Sequence, residues 1–375
     1  MSIAKSVFTL FLGLVLMAGM SPVIVSARPA MPSEGPAAAA QPAPEITARV
    51  ALAVDLTNGL QLFNRDGDAS VAPASTVKIV TALVARAILN LDEEIIIDQR
   101  DLVLDEDYSK MGLELGDIVT VRALLYGTLL SSGGDAALAL ARAAGQRLDP
   151  ATGDPVRRFV DEMNAYGVRN GMLGSHFSNP VGIDADDSYM AARDLVRATE
   201  QVLDDWELAQ IVATPEITVA AGGPNAREIY LFSTNQLVLN GESFGIKTGT
   251  TEVAGECLVN VTRMGDHTVV TVIMGSQDRY ADTQALLDAV GQRYNFVSLG
   301  VGASSLGATD ELAGLGLAFP IRRTITMTPD QAATLTYELQ LSNVRSPRGK
   351  SGVVVFRAAE REVLRLPVYS TEPAG

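Results

Sequence analysis

The sequence predicts an α+β protein: helices packed on an antiparallel β-sheet, followed by a small all-β domain. Three observations carry this. Two short β-type runs flank Thr57-Asn58-Gly59, and Asn-Gly between such runs is a strong hairpin signal. Helix-period segments fill much of 75–204, and a strand block follows over 227–275 with a hairpin at Met264-Gly265-Asp266. Helical character returns over 282–296, so helices flank the strand block in sequence, as expected for an antiparallel sheet packed against helices.

The elements follow in order. Lys5 precedes the apolar stretch Val7 to Met20, and Val25-Ser26-Ala27 supplies a small-residue cleavage site, so residues 1–27 read as a secretory signal peptide and the protein as exported, periplasmic or otherwise extracytoplasmic. An uncleaved membrane anchor is the other reading, because Val7 to Val25 approaches spanning length, although Ser21 and Pro22 interrupt it. Residues 28–45 are rich in Pro and Ala and read as an extended linker. Globular patterning starts at Ile46. After Ser75, the residues Val77, Val80, Val84, Ile88 and Leu91 fall roughly on one helix face. Further helices are expected over about 121–130, 135–147, 155–170 and 192–204. Beyond the Gly/Ala/Ser-rich stretch 300–316, four strands are expected over 319–328, 334–342, 352–357 and 362–369, with turns at Pro329-Asp330, Pro347-Arg348-Gly349 and Glu360-Arg361. The expected folded domains are therefore 46–298 and a small β-rich 299–375.

Composition narrows the function. With 375 residues, 47% hydrophobic and 19% charged, the chain can bury a sizeable core. A formal charge of -15 disfavours a nucleic-acid partner. Cys257 is the only cysteine, which excludes an intrachain disulfide, an iron-sulfur cluster and a Cys-rich zinc site. His176 and His267 are the only histidines, too few for a His-rich metal cage. G-x-S-x-G, H-E-x-x-H and G-x-G-x-x-G are all missing, so no cofactor or metal is expected.

The chemistry begins at Ser75-Thr76-Val77-Lys78, at the entry to the first long helix. A serine and lysine three apart share a helix face, so an amine kept neutral by burial can take the hydroxyl proton. The alternative is a serine N-cap with a lysine in the first exposed turn. Lys247-Thr248-Gly249, at a strand edge, offers a cation, a hydroxyl donor and room for a close backbone approach. An edge strand with a protective lysine is the competing reading. Together, Ser-x-x-Lys and a later Lys-Thr-Gly form the ordered set of penicillin-binding proteins and class A β-lactamases.

Residues 46–298 resemble the serine-type D-alanyl-D-alanine carboxypeptidases, the low-molecular-mass penicillin-binding proteins of peptidase family S11. The phrases SKMGLELGDIVTVRALLYGTLLSSGGDAALALA, GSHFSNPVGI, YMAARDLVRAT and GIKTGTTEVAGECLV carry the resemblance. Residues 319–369 also look like the small β domain of many such enzymes. The resemblance implies a β-lactamase/transpeptidase-like fold. It also implies Ser75 as nucleophile, Lys78 as general base, and Ser132 as the serine that passes a proton toward the leaving amine. Lys247 and Thr248 would hold the substrate carboxylate beside Gly249, and the backbone N–H groups of Ser75 and Thr250 would form an oxyanion hole. Peptidoglycan stem peptides and β-lactams are the implied partners.

One departure matters: the family's second motif is Ser-x-Asn, and here the run is Ser132-Gly133-Gly134. A lost donor in such a site costs on the order of 2 to 4 kcal/mol. A non-catalytic binder of muropeptides or β-lactams is therefore the alternative function. A β-lactamase is disfavoured, because no acidic residue occurs in a Glu-x-x-Leu-Asn context between Ser132 and Lys247. Asp135 reads as the N-cap of the following helix. Glu162 reads as part of a solvated face, His176 as structural, His267 as an exposed hairpin residue, Trp206 as a packing residue and Cys257 as a small buried hydrophobe. The C-terminal run REVLRLPVYSTEPAG predicts no amphipathic anchor helix.

Overall fold

The protein is described from a computed structural model, which describes residues 33–34, 43–106, 108–301, 308–341 and 350–371. The expected signal peptide and the turn Pro347-Arg348-Gly349 lie outside the described residues. A six-stranded sheet forms the centre, in the order Ser33–Glu34, Leu60–Arg65, Val50–Asp55, His267–Ser276, Gly255–Met264 and Ile246–Thr251. The pairings are antiparallel except for the short first strand, which runs parallel to its neighbour. The Asn58-Gly59 hairpin is present, with Gly59 at φ +63° in the turn.

Strand alternation explains the layers. Val50, Leu52 and Val54, with Val270, Val272 and Met274, face a large core shared with the helices. Ala51, Ala53, Val269 and Ile273 face the opposite side, against Leu286 and Val290 of the helix Arg279–Arg293. The expected α+β architecture is therefore what the chain adopts. Helices Val121–Leu129, Gly134–Leu148, Pro155–Arg169 and Ala192–Asp204 fall within a residue of expectation. At the centre of the helical layer, Lys78–Ile88 is enclosed from Lys78 to Ala85, including its one lysine.

Other elements differ from expectation. The expected helix 282–296 runs over Arg279–Arg293, because the Asp278 carboxylate accepts from Tyr280 and Ala281 N–H and starts it earlier. Residues Asn295–Gly300 then form a strand paired with Arg322–Met327. The four-stranded C-terminal sheet is accordingly completed by the short strand Leu317–Ala318, in the order Leu317–Ala318, Arg361–Ser370, Lys350–Ala358 and Thr336–Leu341. Its core, built on Val354, Phe356, Leu366, Val368 and Phe319, is separate from both cores of the large sheet. Pro329-Asp330 opens a short helix, Pro329–Ala333, where a turn was expected. Among the described residues no helix is long and apolar enough to cross a membrane.

Candidate active site

Ser75 sits in a single 3-10 turn, Ala74–Val77, that leads into the buried helix Lys78–Ile88. Ala74 is held at φ +48°, a left-handed conformation costing about 1–3 kcal/mol, and it redirects the chain just before the serine. Lys78 follows one helical turn later, 2% exposed, with its Nζ donating to Ser75 Oγ at 2.8 Å and to the Val181 carbonyl at 2.7 Å. Burial pushes the Lys78 amine down to about 7 against an opposing pull from Asp135. An amine with that affinity, in contact with a hydroxyl, is chemically suited to remove its proton near neutral pH. A capped serine with an exposed lysine does not describe this pair, since no side-chain cap is made and the lysine is enclosed.

The strand Ile246–Thr251 closes the site from the sheet side. Gly249 lies against the serine turn so tightly that a Cβ there would fall 2.9 Å from Ser75 N and 3.0 Å from Ala74 Cβ. The close approach read from this glycine is thus made by the protein's own Ser75 turn. Thr248 Oγ1 is 2.6 Å from Thr234 Oγ1, and Thr234 N donates to the Leu130 carbonyl, which ties the strand to the segment leading into Ser132. Lys247 is 1% exposed, and its Nζ donates to the Thr248 carbonyl at 2.8 Å. Burial, then the charges of Lys78 and Arg279, hold Lys247 well below the ordinary lysine range.

Ser132 is 5% exposed and holds φ +58°, like Ala74 a non-glycine residue in the left-handed region. Gly134 opens the helix Gly134–Leu148, with Gly133 as its cap. A Cβ on Gly134 would fall 2.3 Å from Leu104 Cδ1 and 2.8 Å from Val181 Cγ1, so apolar side chains occupy the space an asparagine would need. Asp135 is therefore not the cap: its carboxylate accepts from the N–H groups of Met111, Gly112 and Leu113 at 2.7, 3.0 and 3.1 Å, and clamps that loop onto the helix start.

Arg279 was not legible from the sequence. Its guanidinium donates to the carbonyls of Gly249 and Cys257 at 2.9 and 3.1 Å, to Thr250 Oγ1, and to Glu256 at 3.1 Å, bracing the strand pair from behind. Only its place in the first turn after the Asp278 cap could have hinted at a fixed orientation.

His267 is fully enclosed rather than exposed, because Phe296 and Thr326, on the paired strands Asn295–Gly300 and Arg322–Met327, cover that end of the sheet. Trp206 is 72% exposed at the start of the helix Trp206–Ala213, so it is not a packing residue. Glu162 pairs with Arg158 and Arg169 and is held below its ordinary value despite partial burial. His176 bonds through its ring to the Asp187 carbonyl and through its backbone to Tyr189. Cys257 is buried, which pushes its thiol up. Among the described residues no group of three His, Cys, Asp or Glu side chains is placed to hold a metal ion.

A hydroxyl in contact with a buried amine, beside a sheet edge carrying a second lysine and a threonine, is an arrangement chemically suited to serine acyl transfer on an α+β scaffold. A comparison with protein families matches residues 37–278 to D-alanyl-D-alanine carboxypeptidase, peptidase family S11. The chain belongs to that family. It is 31% identical over 241 residues to a D-alanyl-D-alanine carboxypeptidase of Streptomyces sp. strain K15, covering 62% of this chain and 82% of that one. The structure of the Streptomyces K15 DD-transpeptidase superposes with a TM-score of 0.61 at 29% identity, over 68% of this chain and 99% of that one. The crystal structure of D-alanyl-D-alanine carboxypeptidase DacD from Francisella tularensis shares the fold over 89% of this chain and 95% of its own, with a TM-score of 0.63 at 21% identity.

Proposed function

We propose that this chain is a serine D-alanyl-D-alanine carboxypeptidase that removes the terminal D-alanine from peptidoglycan stem peptides. One observation carries the reading: Lys78 Nζ lies 2.8 Å from Ser75 Oγ in an enclosed position where burial keeps the amine near neutrality. Neutral Lys78 takes the Ser75 proton as Oγ attacks the carbonyl between the two D-alanines, and the N–H groups of Ser75 and Thr250 receive the developing oxyanion. Ser132 relays the proton to the departing amine, so the C–N bond breaks as free D-alanine leaves with its nitrogen protonated. Water then attacks the Ser75 ester, which releases the shortened peptide and returns the hydroxyl. Lys247 and Thr248, beside Gly249, take the terminal carboxylate of the substrate. A β-lactam enters the same path by acylating Ser75.

Residues 46–298 supply the catalytic part and 299–375 a small β-rich part, with export directed by residues 1–27. Gly134 favours a second reading, a binder of the same ligands without turnover, since no amide is available at that position. The contact between Lys78 and Ser75 is made without that amide and supports turnover. Intact-mass measurement after incubation with a penicillin, beside a Ser75→Ala control, tests the nucleophile. D-alanine release from a pentapeptide separates enzyme from binder: a Ser75-dependent adduct with no release would favour the binder.

A further inference from the structure

The turn that presents the Val181 carbonyl to Lys78 is held by one side chain. Asn179 Oδ1 accepts from three consecutive backbone N–H groups, those of Val181, Gly182 and Ile183, at 3.1, 2.7 and 3.0 Å, and its Nδ2 donates back to the Ile183 carbonyl at 2.9 Å. Neighbours tie the same turn to the catalytic helix and to the sheet edge. The Pro180 carbonyl accepts from Thr81 Oγ1 at 2.7 Å, and Asp184 accepts from Thr251 Oγ1 at 2.8 Å. Gly182, at φ +91°, packs so closely that a Cβ would fall 2.0 Å from the Ala74 carbonyl. The Val181 side chain fills the space in front of Gly134, while its carbonyl meets the Lys78 amine at 2.7 Å.

Resting on the reading of Ser75 and Lys78 given above, we propose that Asn179 is a positioning residue of the acylation step. Its amide fixes the 179–183 turn so that the Val181 carbonyl, instead of a side chain at position 134, holds the Lys78 amine beside Ser75. The arrangement accounts for an intact contact between Ser75 and Lys78 in a chain whose second motif has no amide. Three N–H groups gathered on one oxygen fix the turn as a unit, and a carbonyl displaced by about 1 Å would lose its hold on the amine. The charged groups acting on that amine include the Asp135 carboxylate, from the helix Gly134–Leu148, and Lys247, from the sheet edge.

The test compares acylation rates by a penicillin, read by intact mass across pH 5.5 to 9, for the wild-type chain, Asn179→Ala and Asn179→Asp, with thermal melting of each. Asn179→Ala is expected to acylate more slowly by on the order of 100-fold. Asn179→Asp keeps the three accepted bonds and adds a carboxylate near the amine. Its rate falls between the other two, and the rising limb of its pH profile moves to higher pH, because a neighbouring anion favours protonated lysine. Should Asn179→Ala fail to fold, the aspartate variant alone carries the test. Rates and limbs matching wild type overturn the proposal, and so do two folded variants that are slow with unmoved limbs, since that pattern marks a purely structural role. A wild-type chain that forms no Ser75 adduct would instead overturn the underlying reading of the site.

Discussion

His267 Nδ1 and Asp55 Oδ2 lie 2.8 Å apart with both side chains fully enclosed, where the central sheet meets the C-terminal strand Arg322–Met327. Thr326 Oγ1 donates to the same carboxylate oxygen at 2.6 Å, and the Phe296 ring stands edge-on to the imidazole at 4.9 Å. Burial raises the Asp55 carboxyl, but bonds from His267 and Thr326 and the charge of His267 outweigh it and hold the group below its ordinary value.

A depressed carboxyl gives stability that is present above its unfolded pKa of about 4 and is lost as pH falls through the lowered folded value. Asp55→Ala is therefore expected to lose about 1–3 kcal/mol at pH 7, the cost of leaving the buried His267 and Thr326 groups without their acceptor, and less at pH 3. Urea unfolding at the two pH values measures this. An equal deficit at both would mean that the Asp55 carboxyl adds no pH-dependent stability.

In its proposed role, Lys78 sets activity and stability against each other. Acylation should rise with pH through about 7 as the amine becomes neutral, and Lys78→Met should abolish it. The unfolded chain binds the lysine proton up to about pH 10.4, so between about 7 and 10.4 the wild-type protein gains stability from this group as pH rises. Replacing the amine with an apolar chain of similar volume should thus stabilise the protein by about 1 kcal/mol at pH 6. Near pH 10 the lost hydrogen bonds should make the variant the weaker one. Calorimetric melting at both pH values reads the crossing, and a variant less stable than wild type at pH 6 contradicts it.

Lys247 has burial and two cationic neighbours against it, and the carboxylate in its proposed role comes with the substrate. Ligand binding should then bring a proton onto its amine. Titration of the Ser75→Ala protein with a penicillin, in two buffers of different ionisation enthalpy, is expected to show net proton uptake on binding. Lys247→Met should abolish that uptake. Binding with no proton exchange in the lysine protein would mean the amine is already charged before the ligand arrives.

What the sequence made legible was local. Lys78 follows Ser75 by one helical turn, and Pro155 after Asp154 marks a helix start that needs no knowledge of the rest of the chain. What it hid depends on distant partners. Asp135 has the residue type of a cap, yet its carboxylate is used by Met111, Gly112 and Leu113, more than 20 positions away. Arg279 reaches Gly249 across 30 residues, and His267 sits beside a tight turn but is covered by Thr326 from the C-terminal part. Periodicity and capping preference carry no information about such pairings.

The second motif offers the sharpest remaining test. Restoring the family's amide with Gly134→Asn should not improve the enzyme, because the new Cβ would meet Leu104 Cδ1 at 2.3 Å and Val181 Cγ1 at 2.8 Å. Overpacking of this kind costs about 1–3 kcal/mol. Displacing Val181 would also pull its carbonyl from Lys78, so acylation should slow along with the loss of stability. Leu104→Ala alone should leave acylation near wild type, since that side chain packs against the Ala137, Leu138 and Val181 cluster and bonds to no member of the site. Combined with Gly134→Asn, it opens room on one side, and the double variant should recover both melting temperature and acylation rate relative to Gly134→Asn. The coupling between the two substitutions in a double-mutant cycle measures the effect. If Gly134→Asn alone accelerates acylation without loss of stability, the space at position 134 is freely available and Val181 is not the group that replaces the amide.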